Sequence, residues 1–203
     1  MVRMRLTIVL ALMLFLFSTA GVVLAVTQDQ IGQSRLEPSS PFYFLKTIRE
    51  SWELKFAPTP RVKWLRQLEF ATRRLREVKS LLVKNQELIA PTLEKYKSHI
   101  DSLPDKDLTD SEISTRIKES LAVHLEALQV IYHQASTSRA KMAIRATISR
   151  IVKRVDIPNY ARIPACNFLA KEASSSALNQ TEQAVYLERA KNCFGGLISA
   201  RGL

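Results

Sequence analysis

Three residue types could carry chemistry or shape a catalytic site in this chain, and all three are scarce. The histidines are His99, His124 and His133. No two stand three or four residues apart and none closes a Glu-x-x-His pair, so the spacing of a helical metal site or a di-iron bundle is missing. His124 falls on an apolar helical stripe and reads as a half-buried packing residue. Cys166 and Cys193 are the only cysteines. Outside the cytoplasm such a pair reads as a disulfide, worth ~3–4 kcal/mol through loop closure. Two reduced, buried cysteines are the other reading. A catalytic thiol would lack a nearby base, because no histidine follows His133. The five glycines are Gly21, Gly32, Gly195, Gly196 and Gly202. The stretch between Gln33 and Phe194 therefore has none, which excludes a P-loop, a dinucleotide fingerprint and a nucleophile elbow. Asn179-Gln180-Thr181 has the form of a glycosylation acceptor, but a helix-capping role explains the same residues. No catalytic residue, metal or cofactor is expected.

The 203 residues leave room for one domain and a small appendage. Arg3 and Arg5 precede a charge-free run, Leu6–Val26. A basic segment before an apolar run is an export signal. Val23 and Ala25 suit a cleavage site after Ala25, while the length of the run also suits a retained membrane span. Residues 1–26 are read as signal peptide or membrane anchor, and all that follows is expected outside the cytoplasm. No cysteine follows the run closely, so a lipoprotein anchor is excluded.

The elements after it read as helices. Residues 27–39 form a polar linker containing Gly32 and Pro38. Ser40-Pro41 opens a first helix, in which Leu45, Ile48, Trp52 and Phe56 recur at helical spacing. Pro58-Thr59-Pro60 ends it. From Arg61, Leu65, Leu68, Thr72, Leu75, Lys79, Leu82, Gln86, Ile89, Leu93, Tyr96, Ile100 and Leu103 keep a three–four alternation, the seam of a long helix. Pro91 is expected to kink or split that helix at Ala90. Thr109 to Glu112 forms a capping box for a third helix running to about Val155, with its weakest point at Ser136-Thr137-Ser138. Two such helices joined briefly make an antiparallel hairpin with its turn near 104–108. After Pro158, a short helix from Pro164 or Ala165 and another after Asn179, capped by Asn179 and Glu182, form a C-terminal pair closed by Cys166 and Cys193. Gly195-Gly196 is expected to terminate it. The fold class is all-α: a short N-terminal helix on a long antiparallel helical hairpin (40–157), plus a disulfide-closed C-terminal helix pair (158–203).

The net charge is +11. Arg61–Lys84 holds eight basic residues against Glu69 and Glu77, and Arg139–Arg154 holds six and no acid. A hairpin would gather both stretches at a basic foot, with Arg61, Lys63, Arg66, Arg73, Arg74, Arg145, Arg150, Lys153 and Arg154 as candidate binding residues. The acids Asp101, Asp105, Asp107, Asp110, Glu112 and Glu119 would sit at the opposite tip. Such a foot suits anionic lipid headgroups or a wall polymer, or serves only solubility. Nucleic acid is not expected, because export removes it. Seven of the fifteen aromatics lie between Phe42 and Phe70. Phe42, Tyr43, Phe44, Trp52 and Trp64 are candidate binding residues. They are either core beneath the first helix or a partly open groove for a peptide or acyl chain.

Pro38-Ser39-Ser40-Pro41-Phe42-Tyr43-Phe44-Leu45-Lys46, then Glu50, then Arg73-Arg74-Leu75-Arg76-Glu77, resemble a family of exported bacterial domains, domain of unknown function 5667. Its pattern opens Pro-Gly-Ser-Pro-Leu-Tyr-Pro-Leu-Lys and continues with a basic helix, a Pro turn and Arg-Arg-Leu-x-Glu. Ser39 and Phe44 stand where the pattern has Gly and Pro. The resemblance is clear over Pro38–Glu77 and loose over the hairpin. It implies a helical extracytoplasmic module, in some members attached to regulatory membrane proteins, with no enzyme activity and no catalytic residues. The expected function is a non-catalytic interaction or structural module of the bacterial envelope, binding an envelope protein, lipid headgroups or wall polymer, or self-associating through helical faces. A periplasmic chaperone or envelope-stress sensor is the alternative; the Leu-Thr-x-x-Gln repeat of the known helical chaperones is absent.

Overall fold

The computed structural model describes residues 38–104, 110–154, 156–174 and 178–199. The expected signal or anchor (1–26), the linker up to residue 37 and the cap at Thr109 lie outside these residues. Among the described residues all regular structure is helical. The α-helices are α1 (Tyr43–Lys55), α2 (Pro60–Lys84), α3 (Ile89–Asp101), α4 (Ser111–Gln134), α5 (Ser138–Val152), α6 (Asn159–Ala173) and α7 (Gln180–Ser199), with a 3₁₀ turn at Gln86–Leu88.

Local chemistry sets most of the ends. Thr59 caps α2 by accepting from the Val62 amide at 3.2 Å, with Pro60 at the first helical position. The first turn of α1 starts later than Ser40-Pro41 suggested: Ser40 accepts from the Phe42 amide, and the helix begins at Tyr43. Asp110 caps α4, accepting from the Ile113 amide at 3.2 Å. The reciprocal box of Asn179 and Glu182 is present, with bonds of 3.1 and 2.8 Å.

The two long arms are each folded in two. At Asn85 the backbone is extended and the side chain accepts from the Glu87 amide, so α2 stops and α3 turns back against it. The break precedes Pro91, which sits harmlessly in the first turn of α3, where a missing amide leaves no bond unmade. At 135–137 the chain breaks again, and Thr137 caps α5 through the Ala140 amide. This is the run with the poorest helix propensity. A long hairpin is thereby replaced by two shorter ones laid side by side.

Their register follows from cross-links between α2 and α4. Arg61 bonds Asp110 and Glu112, Thr72 bonds His124, and Gln86 bonds Ser136 and Thr137. The partners advance together, so α2 and α4 are parallel, and α3 and α5 return antiparallel to them. Leu75, Val78, Leu81, Leu93, Tyr96, Ile117, Leu121, Leu128, Ile144 and Ile148 fill the interior. The expected stripes are buried at most positions. Met142 is exposed, because the break at 135–137 resets the helical phase before it.

α6 and α7 pack on each other, and α6 also rests on α4 and α5. α6 begins at Asn159 rather than near Pro164, which lies inside it. Cys166 and Cys193 are buried and disulfide-bonded, with Cα atoms 5.9 Å apart. α7 continues past Gly195-Gly196; glycine permits a left-handed cap without enforcing one.

Candidate functional site

α1 is mounted with its sides reversed. The 3.6-residue period places Leu45, Ile48, Trp52 and Phe56 on one face and Tyr43, Lys46 and Glu50 on the other. A helix covering a core ordinarily turns the first set inward. Here Tyr43 and Glu50 are buried against α2, while Leu45, Ile48, Trp52 and Phe56 are 53, 48, 53 and 68 % exposed.

A buried polar network explains the reversal. Glu77 of α2 has no solvent exposure and accepts from the Tyr43 hydroxyl at 2.9 Å, Lys46 at 2.5 Å and Arg74 at 3.0 Å. Arg74 also donates to the Tyr43 hydroxyl and, at 2.5 Å, to Glu50. Arg73 bridges Glu50 and Glu69, and Lys95 of α3 lies 4.8 Å above the Tyr43 ring. Burial, followed by the negative charge of Glu77, pushes the Tyr43 hydroxyl well above its ordinary pKa, so it stays a donor. Three carboxylates (Glu50, Glu69, Glu77) balance three cations (Lys46, Arg73, Arg74), which makes burial of the charges tolerable. α1 is thus fixed through its polar side.

The aromatic candidates are dispersed by this arrangement. Tyr43 is buried by its hydroxyl; Trp64 is half-buried against the bundle core; Phe42, Phe44 and Trp52 are exposed. They do not form a core layer beneath the first helix. Instead, six of the thirteen large apolar side chains exposed among the described residues fall within positions 42–56. Scattered exposed apolar residues are ordinary, whereas a concentration of them marks a contact surface.

The basic candidates are also parted, and the separation of a basic foot from an acidic tip is overturned. Folding each arm in two returns the end of α3 and the start of α4 to the foot. Arg61 accordingly pairs with Asp110 and Glu112, and Arg150 with Asp101. Arg74 and Arg145 are buried in ion pairs, and Arg66 donates to the Glu53 carbonyl. Buried Arg154 donates to the carbonyls of Ile100, Leu103 and Pro104 at the end of α3. Lys63 and Lys153 are exposed. Arg150 and Lys153 line an open 610 Å³ hollow with Lys97, Asp101, Ser149 and Arg189. Its walls mix both signs of charge, unlike the apolar lining of a small-molecule pocket.

Two of the three histidines are engaged in the packing. His124 is fully buried; its Nε2 lies 2.9 Å from the Thr72 hydroxyl and its Nδ1 3.1 Å from the Tyr96 hydroxyl. The Thr72 hydroxyl donates to the Leu68 carbonyl, so it accepts from His124 Nε2–H, and Nδ1 accepts from Tyr96. Burial and then nearby Arg76 hold the His124 pKa down to about 3. His99 bonds Gln67 at 2.6 Å, and burial lowers its pKa to about 4. Among the described residues no group of three or more His, Cys, Asp or Glu is arranged to hold a metal.

The model of the family described as Domain of unknown function (DUF5667) matches residues 35–143, more than half of the chain. The chain belongs to DUF5667. No curated protein and no solved structure matches it. The DUF5667 match spans α1 to α4 and the start of α5, leaving the disulfide-closed pair outside. The polar residues that carried the resemblance, Tyr43, Lys46, Glu50, Arg73, Arg74 and Glu77, are those of the network under α1. The DUF5667 motif here is the mount of the helix.

Proposed function

We propose that this protein is a non-catalytic helical docking module of the bacterial envelope, working outside the cytoplasm, with the outward face of α1 as its contact surface. The observation that carries the reading is the reversal of α1: its polar side is spent on the bundle and its apolar side faces out. Export is supported by the basic start before Leu6–Val26 and by the Cys166–Cys193 bridge, which suits an oxidising compartment. No described helix is long and apolar enough to cross a membrane, and Leu6–Val26 lies outside the described residues. The partner is an envelope component, not nucleic acid, and the aromatic residues of α1, rather than a basic foot, lead the contact.

A photo-crosslinking residue placed at Ile48 in the full chain and activated in intact cells tests this. Mass-shifted adducts are expected at Ile48 and not at exposed Met142 of α5. Adducts at neither position, or equally at both, would overturn the reading.

A further inference from the structure

We propose that the occupant of the α1 face is the surface of a lipid bilayer, into which Leu45, Ile48, Trp52 and Phe56 insert while Arg49 and Lys55 reach to anionic headgroups. This rests on the docking reading above and names its partner.

The shape and charge of the helix favour lipid over protein. The four apolar side chains share one face, and helical geometry sets Lys55 and Arg49 on its two flanks. Both are exposed; Arg49 pairs with Glu53 at 3.1 Å within the helix, and the Lys55 ammonium lies 5.9 Å from the centre of the Phe56 ring. Trp and Phe in the middle with cations at the edges is the pattern of a helix lying in the membrane interface. Long basic side chains there keep their stems on apolar surface and their charges at the headgroups.

A second copy of the chain fits less well. α1 has 13 residues, making a strip ~20 Å long. That strip falls short of the ~800 Å² each partner gives up in a stable dimer. Pairing two copies would also oppose Arg49 and Lys55 to their equivalents.

Chain continuity points the same way. Fifteen residues, 27–41, separate Val26 from Phe42, and they can span at most ~50 Å. With Leu6–Val26 retained in the membrane, α1 is confined to that distance from the bilayer. A single short interfacial helix binds marginally by itself, and a tether raises its effective concentration at the surface.

The test uses the full chain reconstituted in phosphatidylglycerol-containing vesicles, so that attachment through the N-terminal run is common to every sample. The readout is Trp52 emission, obtained as the difference between the chain and W52F, which leaves Trp64 as background. With lipids brominated on the acyl chains, the Trp52 emission is expected to lose on the order of half its intensity, because interfacial helices bury their apolar face ~5–10 Å deep. I48D, at an exposed position and checked for unchanged helicity by circular dichroism, is expected to abolish that quenching. No quenching by brominated chains overturns the proposal. Acrylamide accessibility of Trp52 in isolated cell envelopes then separates the two readings. Shielding there without lipid quenching leaves docking to a protein standing, whereas full accessibility removes the docking reading as well.

Discussion

Glu77 shows how much of this architecture rests on single side chains. It is inaccessible to solvent and holds Tyr43, Lys46 and Arg74 at once. Glu77→Ala leaves buried Arg74 and partly buried Lys46 without their shared carboxylate, and removal of one member of a buried ion pair costs ~3–5 kcal/mol. Urea denaturation is expected to show a loss of that order, together with faster amide exchange across α1. His124 makes a separate case. Its pKa is held at about 3 when folded and is ~6.5 when unfolded. Below pH ~6.5 the unfolded chain therefore binds a proton that the folded chain refuses, and stability falls with pH until the folded value is reached. His99, held at about 4, acts in the same direction. At pH 4.5 the His124 contribution is a loss of ~3 kcal/mol relative to pH 7.5. H124Q, which does not titrate, is expected to flatten the decline in a series of denaturation midpoints.

Among the helices, α6 and α7 depend on attachments of a different kind. Arg145 of α5 bonds Glu172 at 3.1 Å, and the Tyr132 hydroxyl donates to the same carboxylate. The Tyr132 and Phe168 rings meet edge-on with centres 4.9 Å apart. Burial, aided by Glu172, pushes the Tyr132 pKa up to about 12, so the contact survives mild alkali. The disulfide ties α6 to α7, and the pair reaches the bundle chiefly through α6. In C166S/C193S the chain-entropy contribution of ~3–4 kcal/mol is lost. Hydrogen exchange is expected to quicken first in α7, while α2 and α4 keep their protection. Alkylation of the unreduced wild-type protein should label neither cysteine. The pairing was legible from composition because only two cysteines exist, but the extent of α6 was not. Pro164 suggested a helix start, yet it lies inside α6, where it forgoes one backbone bond in a helix that packs on α4 and α5.

Across the molecule, helix periodicity, caps and motif were readable along the chain because they depend on residues a few positions apart. That local physics was enough for an all-α class, most buried stripe positions, the Asn179–Glu182 box, the disulfide and the family. The breaks were harder: Ser136-Thr137-Ser138 announced itself by low propensity, whereas Asn85 did so only through the turn it makes in place. Which side of α1 faces inward could not be read locally at all. Leu45, Ile48, Trp52 and Phe56 look like a core face until Arg74, 24 positions beyond Glu50, and Glu77 arrive to neutralise the polar one. The same holds for Asp101, Asp110 and Glu112, three of the acids expected at a distant tip, which two chain reversals bring back onto Arg61 and Arg150. Burial and pairing of a charge are set by groups remote in sequence, so the exposed aromatic face of α1 emerges only once the helices are packed.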